Sequence, residues 1–177
     1  MWVIRSAADE EVRAAFFYYS RTRNGDVAKD LLKRFSGYLV TDAYSGYEKV
    51  ENITRSLCWS HVRRKFLDSI PLDRKGKAIP GSKGAEAVGY IDLLFRVEAQ
   101  IKDLPIEERK KKRQDASRPI LDAFWTWVEK TSGMYTTNES LTKALNYAAQ
   151  KKNELPTARR MKGTVGVSHC SLLFVLC

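Results

Sequence analysis

Tyr38-Leu39-Val40 is a short apolar run that stops on a single acid, Asp42, and it follows directly on a helical signal. Val27, Leu31, Leu32 and Phe35 recur at helical spacing behind Asp26, which can cap that helix, and Ser36-Gly37 ends it. Further back, Trp2-Val3-Ile4 and residues 12–20 (VRAAFFYYS) are aromatic and β-branched and read as a hairpin. Asn24-Gly25 marks the turn in the loop over residues 20–26. Strand, helix, strand is a crossover unit, so residues 38–41 form a third strand that can lie parallel to an earlier one. That demand restricts the first part of the chain to a mixed α/β sheet.

Beyond Asp42, Tyr44, Ser45, Gly46 and Tyr47 make a turn, and residues 53–59 form a short apolar run read as a fourth strand. Ser60 can cap a helix over residues 61–70, with Val62, Phe66 and Ile70 inward and Arg63, Arg64 and Lys65 on other faces. Residues 71–83 (PLDRKGKAIPGSK) are a polar linker rich in Gly and Pro. Helical periodicity then takes over. Val88, Ile91, Leu94, Phe95 and Ile101 mark one amphipathic helix over residues 85–104, with Glu98 the exception on its apolar face. The block IEERKKKRQDASRP reads as a solvated helix face. Pro119 opens a helix over residues 120–130, and Thr136 with Glu139 matches a capping box ahead of Leu141, Leu145 and Ala148. From Pro156 onward the pattern collapses.

Composition narrows the class of partner. Lys plus Arg outnumber Asp plus Glu by 31 to 21 in 177 residues, a formal charge of +10 that favours anionic partners, nucleic acid foremost. Cys58, Cys170 and Cys177 are irregularly spaced and indicate no disulfide framework, which suits a reducing, cytoplasmic setting. MWVIRSAADEE turns acidic too early for a secretory signal, and no apolar run approaches the roughly 18–20 residues of a membrane span.

Asp42 is the first residue that suggests chemistry. An acid at a strand end suits Mg²⁺, and phosphoryl transfer on DNA commonly uses two such ions. One carboxylate does not make that site, and a strand-end Asp in a turn is the default reading of this residue alone. Arg55, Arg63, Arg64 and Lys65 form a phosphate-contacting patch that would position DNA without reading its sequence; a solvated helix face accounts for the same charges equally well. Cys58 and His61 have half-zinc-site spacing, with His169, Cys170 and Cys177 as an irregular second half. Packing of Cys58 and Trp59 is the stronger alternative.

GYLVTDAYSGY followed by CWSHVRRKF resembles the IS-sixty-six family of bacterial insertion-sequence transposases. MWVIRS, SKGAEAVGYIDLLFRVEAQIKDL, EERKKKRQDASRPILDAFWTWVE and SLTKALNYAAQKKNEL fit the same family in the same order, from Met1 to about Leu155. The resemblance implies a ribonuclease-H-like core of the DDE type, in which two Asp and one Glu bind Mg²⁺ or Mn²⁺ for cleavage and joining of transposon ends. Asp42 matches the second Asp of that triad, and residues 84–131 match a helical insertion between it and the Glu.

The same resemblance implies two departures. The family's first Asp belongs to a strand preceding MWVIRS, and its Glu to an NNxxER-type segment whose place holds TARRMKGTVGVSHCSLLFVLC, a tail without Asp or Glu. The tail looks frameshifted and Met1 looks like an internal methionine used as initiator. The expectation is therefore an α/β chain. An incomplete ribonuclease-H-like mixed sheet occupies residues 1–70, a linker 71–83, a helical insertion and following helices 84–155, and a poorly ordered tail 156–177. Loss of the central strand would expose backbone edges and favour self-association. The expected role is a truncated transposase, catalytically dead alone. Its partners would be transposon-end and target DNA and intact transposase; the alternative is a non-catalytic DNA-binding or regulatory remnant.

Overall fold

β1 (Trp2–Arg5) and β2 (Ala15–Tyr18) pair antiparallel, from Trp2 opposite Tyr18 to Arg5 opposite Ala15, as the expected hairpin. The computed structural model describes residues 1–6, 14–134 and 137–155; the proposed tail over 156–177 and Thr136 lie outside them. Trp2 and Val3 are buried, whereas every residue of β2 is exposed. Phe16 and Tyr18 stack on one side of that strand at 6.4 Å, the alternation that a period of two imposes.

α1 (Gly25–Leu32) is capped by Asn24, whose side-chain oxygen accepts from the Asp26 N–H at 3.2 Å. Asp26 was the expected cap; it stands inside the first turn and ion-pairs with Lys49 at 2.6 Å. Gly25 has a steric reason. A Cβ there would lie 2.6 Å from the Gly46 carbonyl oxygen, so only a glycine lets the helix start against the short 3₁₀ turn over Ser45–Lys49.

β3 (Gly37–Thr41) and β4 (Ile53–Leu57) pair in parallel, register Gly37 to Ile53 through Thr41 to Leu57. The parallel partner of the third strand is thus the fourth strand and not an earlier one. Residues 42–52 supply the crossover, close to the shortest connection that parallel strands permit. Among the described residues the hairpin and the parallel pair share no strand pairing. They are joined through side chains: Trp2, Ala28, Leu32, Leu39, Tyr47 and Val50 form one buried cluster.

Residues 1–58 form one compact unit and the described residues from Trp59 onward another. α2 (Trp59–Leu67), grouped above with the strands, packs on α3 (Lys83–Ile101) and α6 (Glu139–Lys151). Its Trp59 and Phe66 surround Phe124 with ring centroids 5.5 and 6.1 Å away. Ser82 caps α3, and Asn138 caps α6 by accepting from the Leu141 N–H at 2.9 Å. The Asn138 amide also donates to the Ser69 carbonyl at 2.8 Å.

The charged block differs from its expectation. α4 (Ile106–Lys112) runs through a π-helical turn (Arg113–Ser117) straight into α5 (Arg118–Ser132), without the break placed at Pro119. A proline lacks an N–H and crowds the carbonyl one turn back, and the wider π turn ahead of Pro119 accommodates both. The block is not wholly solvated either. Arg109 and Arg113 are buried, and Arg113 meets Glu98 through two 2.9 Å contacts.

Candidate functional site

Asp42 follows β3, and its two carboxylate oxygens have different neighbours. Oδ1 accepts from the Tyr44 N–H at 3.0 Å, the bond that closes the turn. Oδ2 faces the Arg23 guanidinium at 2.5 Å, with the two side chains 20% and 34% exposed. Arg23 is held in place by Tyr44: its guanidinium lies 4.3 Å from the ring centroid, and its carbonyl accepts from the Tyr44 hydroxyl. Beneath them Tyr47 is buried, and burial together with the Asp42 charge pushes its hydroxyl pKa well up.

The metal expected at Asp42 asks for several oxygen ligands around one point. Among the described residues no group of three or more His, Cys, Asp or Glu side chains is arranged to hold an ion. Asp42 itself presents one oxygen to a turn amide and the other to a guanidinium. This arrangement does not fit a two-metal centre. The second half of the zinc reading, His169, Cys170 and Cys177, lies outside the described residues, and Cys58 and His61 belong to no such group among the described ones. Cys58 is buried and disulfide-bonded, a bond its irregular spacing gave no means to expect.

The four expected DNA-contacting residues divide between two places. Arg55, on β4, turns back toward Asp42: its Nε donates to Thr41 Oγ1 at 3.0 Å, and Nη2 donates to the Asp42 and Tyr44 carbonyls at 2.9 and 3.0 Å. Its guanidinium pins the chain as it leaves β3. Arg63 makes a two-pronged pair with Asp92 of α3, at 2.7 and 3.2 Å, which raises its pKa further. Lys65 leans toward the Tyr147 ring, 6.0 Å from its centroid. Arg64 is exposed.

Arg63 and Arg64 belong to a cleft of about 600 Å³ between α2 and α3. Ser60, Arg63, Arg64 and Leu67 line one side, and Asp92, Phe95, Arg96 and Ala99 the other. Each set has the spacing i, i+3, i+4, i+7, so each is one stripe of one helix. Phe66 lies against Gly84 while Arg63 meets Asp92, which makes the two helices antiparallel and sets the stripes face to face. Reading the sequence alone missed Arg23, Arg96 and Phe95. The first two are single basic residues with no motif around them. Phe95 counted as a core residue of the amphipathic helix.

Residues 1–161 match the family described as the Transposase IS66 family, and the chain belongs to it. It is similar to three uncharacterized proteins of Sinorhizobium fredii (strain NBRC 101917 / NGR234). Identity to y4hP is 33% over 151 residues, covering 78% of this chain and 27% of that protein. Identity to y4jD is 24% over 143 residues, covering 76% and 27%, and to y4qI 27% over 143 residues, covering 75% and 25%. The chain thus spans about a quarter of the length of the curated relatives it matches. No solved structure matches it. Among the described residues no helix is long and apolar enough to cross a membrane.

Proposed function

We propose that this chain derives from a DDE transposase, acts in the cytoplasm, binds DNA, and does not cleave or join DNA strands by itself. The observation that carries the proposal is the pairing of Asp42 with Arg23, which sets a fixed cation on the oxygen a metal ion would take. Asp42 keeps the position of a catalytic acid at a strand end, and a divalent ion such as Mg²⁺ or Mn²⁺ would bind there weakly. A ribonuclease-H-like ancestry is supported by the order of elements: an antiparallel hairpin, a helix, and a parallel strand pair with the acid after its first strand. Incubation with transposon-end DNA and Mg²⁺ or Mn²⁺ should yield no cleaved or joined product. Product that disappears in Asp42→Ala would overturn this reading.

A regulatory role through association is favoured by β2. Phe17 of β2 and Tyr19 just beyond it are 62% and 75% exposed, and among the described residues β2 pairs with β1 alone; an open strand edge recruits further strands. The partner would be a second copy or intact transposase. Light scattering across a concentration series tests this, and a monomer at every concentration argues against self-association.

A further inference from the structure

We propose that the cleft between α2 and α3 holds one nucleotide of a single DNA strand, its phosphate on Arg64 and Arg96 and its base against Phe95. The inference rests on the DNA-binding reading and gives it a place and a chemistry. Arg64 and Arg96 line opposite walls of the cleft, one from each of the two antiparallel helices. Both are exposed, and no ion pair among the described residues engages either. Arg63 differs: Asp92 takes both prongs of its guanidinium, so it braces the wall and contributes little net charge. Among the described residues these two guanidinium groups remain without an ion pair in a concave site, the arrangement that attracts a phosphate.

The rest of the lining selects the class of anion. Phe95 and Leu67 give the cleft an aromatic and an aliphatic surface beside the cations. An inorganic anion has no use for them, whereas a base stacks on a ring whatever its identity. The cleft volume of about 600 Å³ lies within the roughly 300–1,000 Å³ of small-ligand sites. That suits one unstacked nucleotide. Lys65, on the same helix but turned toward Tyr147, lies outside the cleft.

Fluorescence anisotropy on the full chain tests this, with an oligothymidine and a blunt duplex of equal length as probes. Arg64→Gln with Arg96→Gln should weaken oligothymidine binding at least about tenfold and flatten the salt dependence by roughly one to one and a half counterions. Phe95→Leu should weaken the single strand at least about fivefold, leave the duplex unchanged and leave the salt slope intact. Lys111→Gln with Lys112→Gln removes equal charge from an exposed stretch of α4 and should cost far less. If the lysine pair costs as much as the arginine pair, or Phe95→Leu affects both probes alike, the cleft is not the site, though DNA binding stands. If the wild-type chain binds neither probe, the DNA-binding reading itself fails and this inference falls with it. Circular dichroism of each variant separates lost contacts from lost fold.

Discussion

Arg23 Nη2 lies 2.5 Å from Asp42 Oδ2, so the acid that ends β3 already has a cation on its outward oxygen. The other oxygen closes a turn by accepting from Tyr44 N–H. Arg23→Gln should therefore uncover one oxygen without undoing the turn. Both side chains are partly exposed, so stability should fall by less than about 1 kcal/mol. Mn²⁺ should broaden the Tyr44 amide resonance at several-fold lower concentration in Arg23→Gln than in wild type, and Asp42→Asn should abolish the effect. Equal broadening in wild type and Arg23→Gln would show that Arg23 does not block the carboxylate.

Glu98 and Arg113 carry the largest stability prediction. Both side chains are at most 4% exposed and joined by two 2.9 Å contacts. Removing one partner leaves a buried charge without its counterion, so Glu98→Gln or Arg113→Met should cost on the order of 3–5 kcal/mol. Replacing both, as Glu98→Leu with Arg113→Met, should cost far less than the sum, because the desolvation penalty leaves with the charges. Urea midpoints of the two single variants and the double variant give the coupling directly.

The contrast between these two pairs shows what a sequence can disclose. Glu98 was visible as the one acid on an otherwise apolar helix face, a conflict that announces a buried partner. Arg113 was not, because it sits in a charge block where every residue has the pattern of a solvated face. Strand and helix order was legible because period two and period 3.6 are local properties. The β3–β4 pairing was not, because the choice among parallel partners depends on the crossover over residues 42–52 and on packing around Tyr47. Asp42 stood out at its strand end. Arg23, nineteen positions earlier in a loop, left no local trace of its role.

Gly84 fixes how closely α2 and α3 approach. A Cβ there would lie 2.6 Å from Ser69 Oγ and 2.9 Å from the Phe66 carbonyl oxygen, and Ser69 Oγ itself donates to that carbonyl at 2.7 Å. The neighbours are backbone and a bonded hydroxyl, so neither gives way easily. Gly84→Ala should destabilise the helical unit by about 1–3 kcal/mol. Gly89→Ala, five residues along the same helix, meets nothing within 4 Å and should be neutral or stabilising by up to about 1 kcal/mol. Chemical denaturation of the two variants compares contact with propensity. A loss at Gly89 equal to that at Gly84 would discount the close approach.

Glu86 links the fold to pH. Hydrogen bonds from Lys83 and from the Trp127 indole, the latter at 2.8 Å, hold its carboxyl below the ordinary value of 4.5. A carboxyl whose folded pKa is depressed stabilises the fold fully above its unfolded pKa, and that contribution is lost as pH falls through the lower folded value. Lys83 and Glu86 are 44% and 36% exposed, so solvent screening keeps the contribution below about 1 kcal/mol. Glu86→Gln keeps an oxygen for the indole N–H but removes the charge. Its urea midpoint should therefore lie below wild type at neutral pH. The gap should close as pH falls below the ordinary carboxyl range, because both chains are then neutral at this position. A gap that stays constant with pH would assign the loss to packing around Trp127 and not to the Glu86 charge.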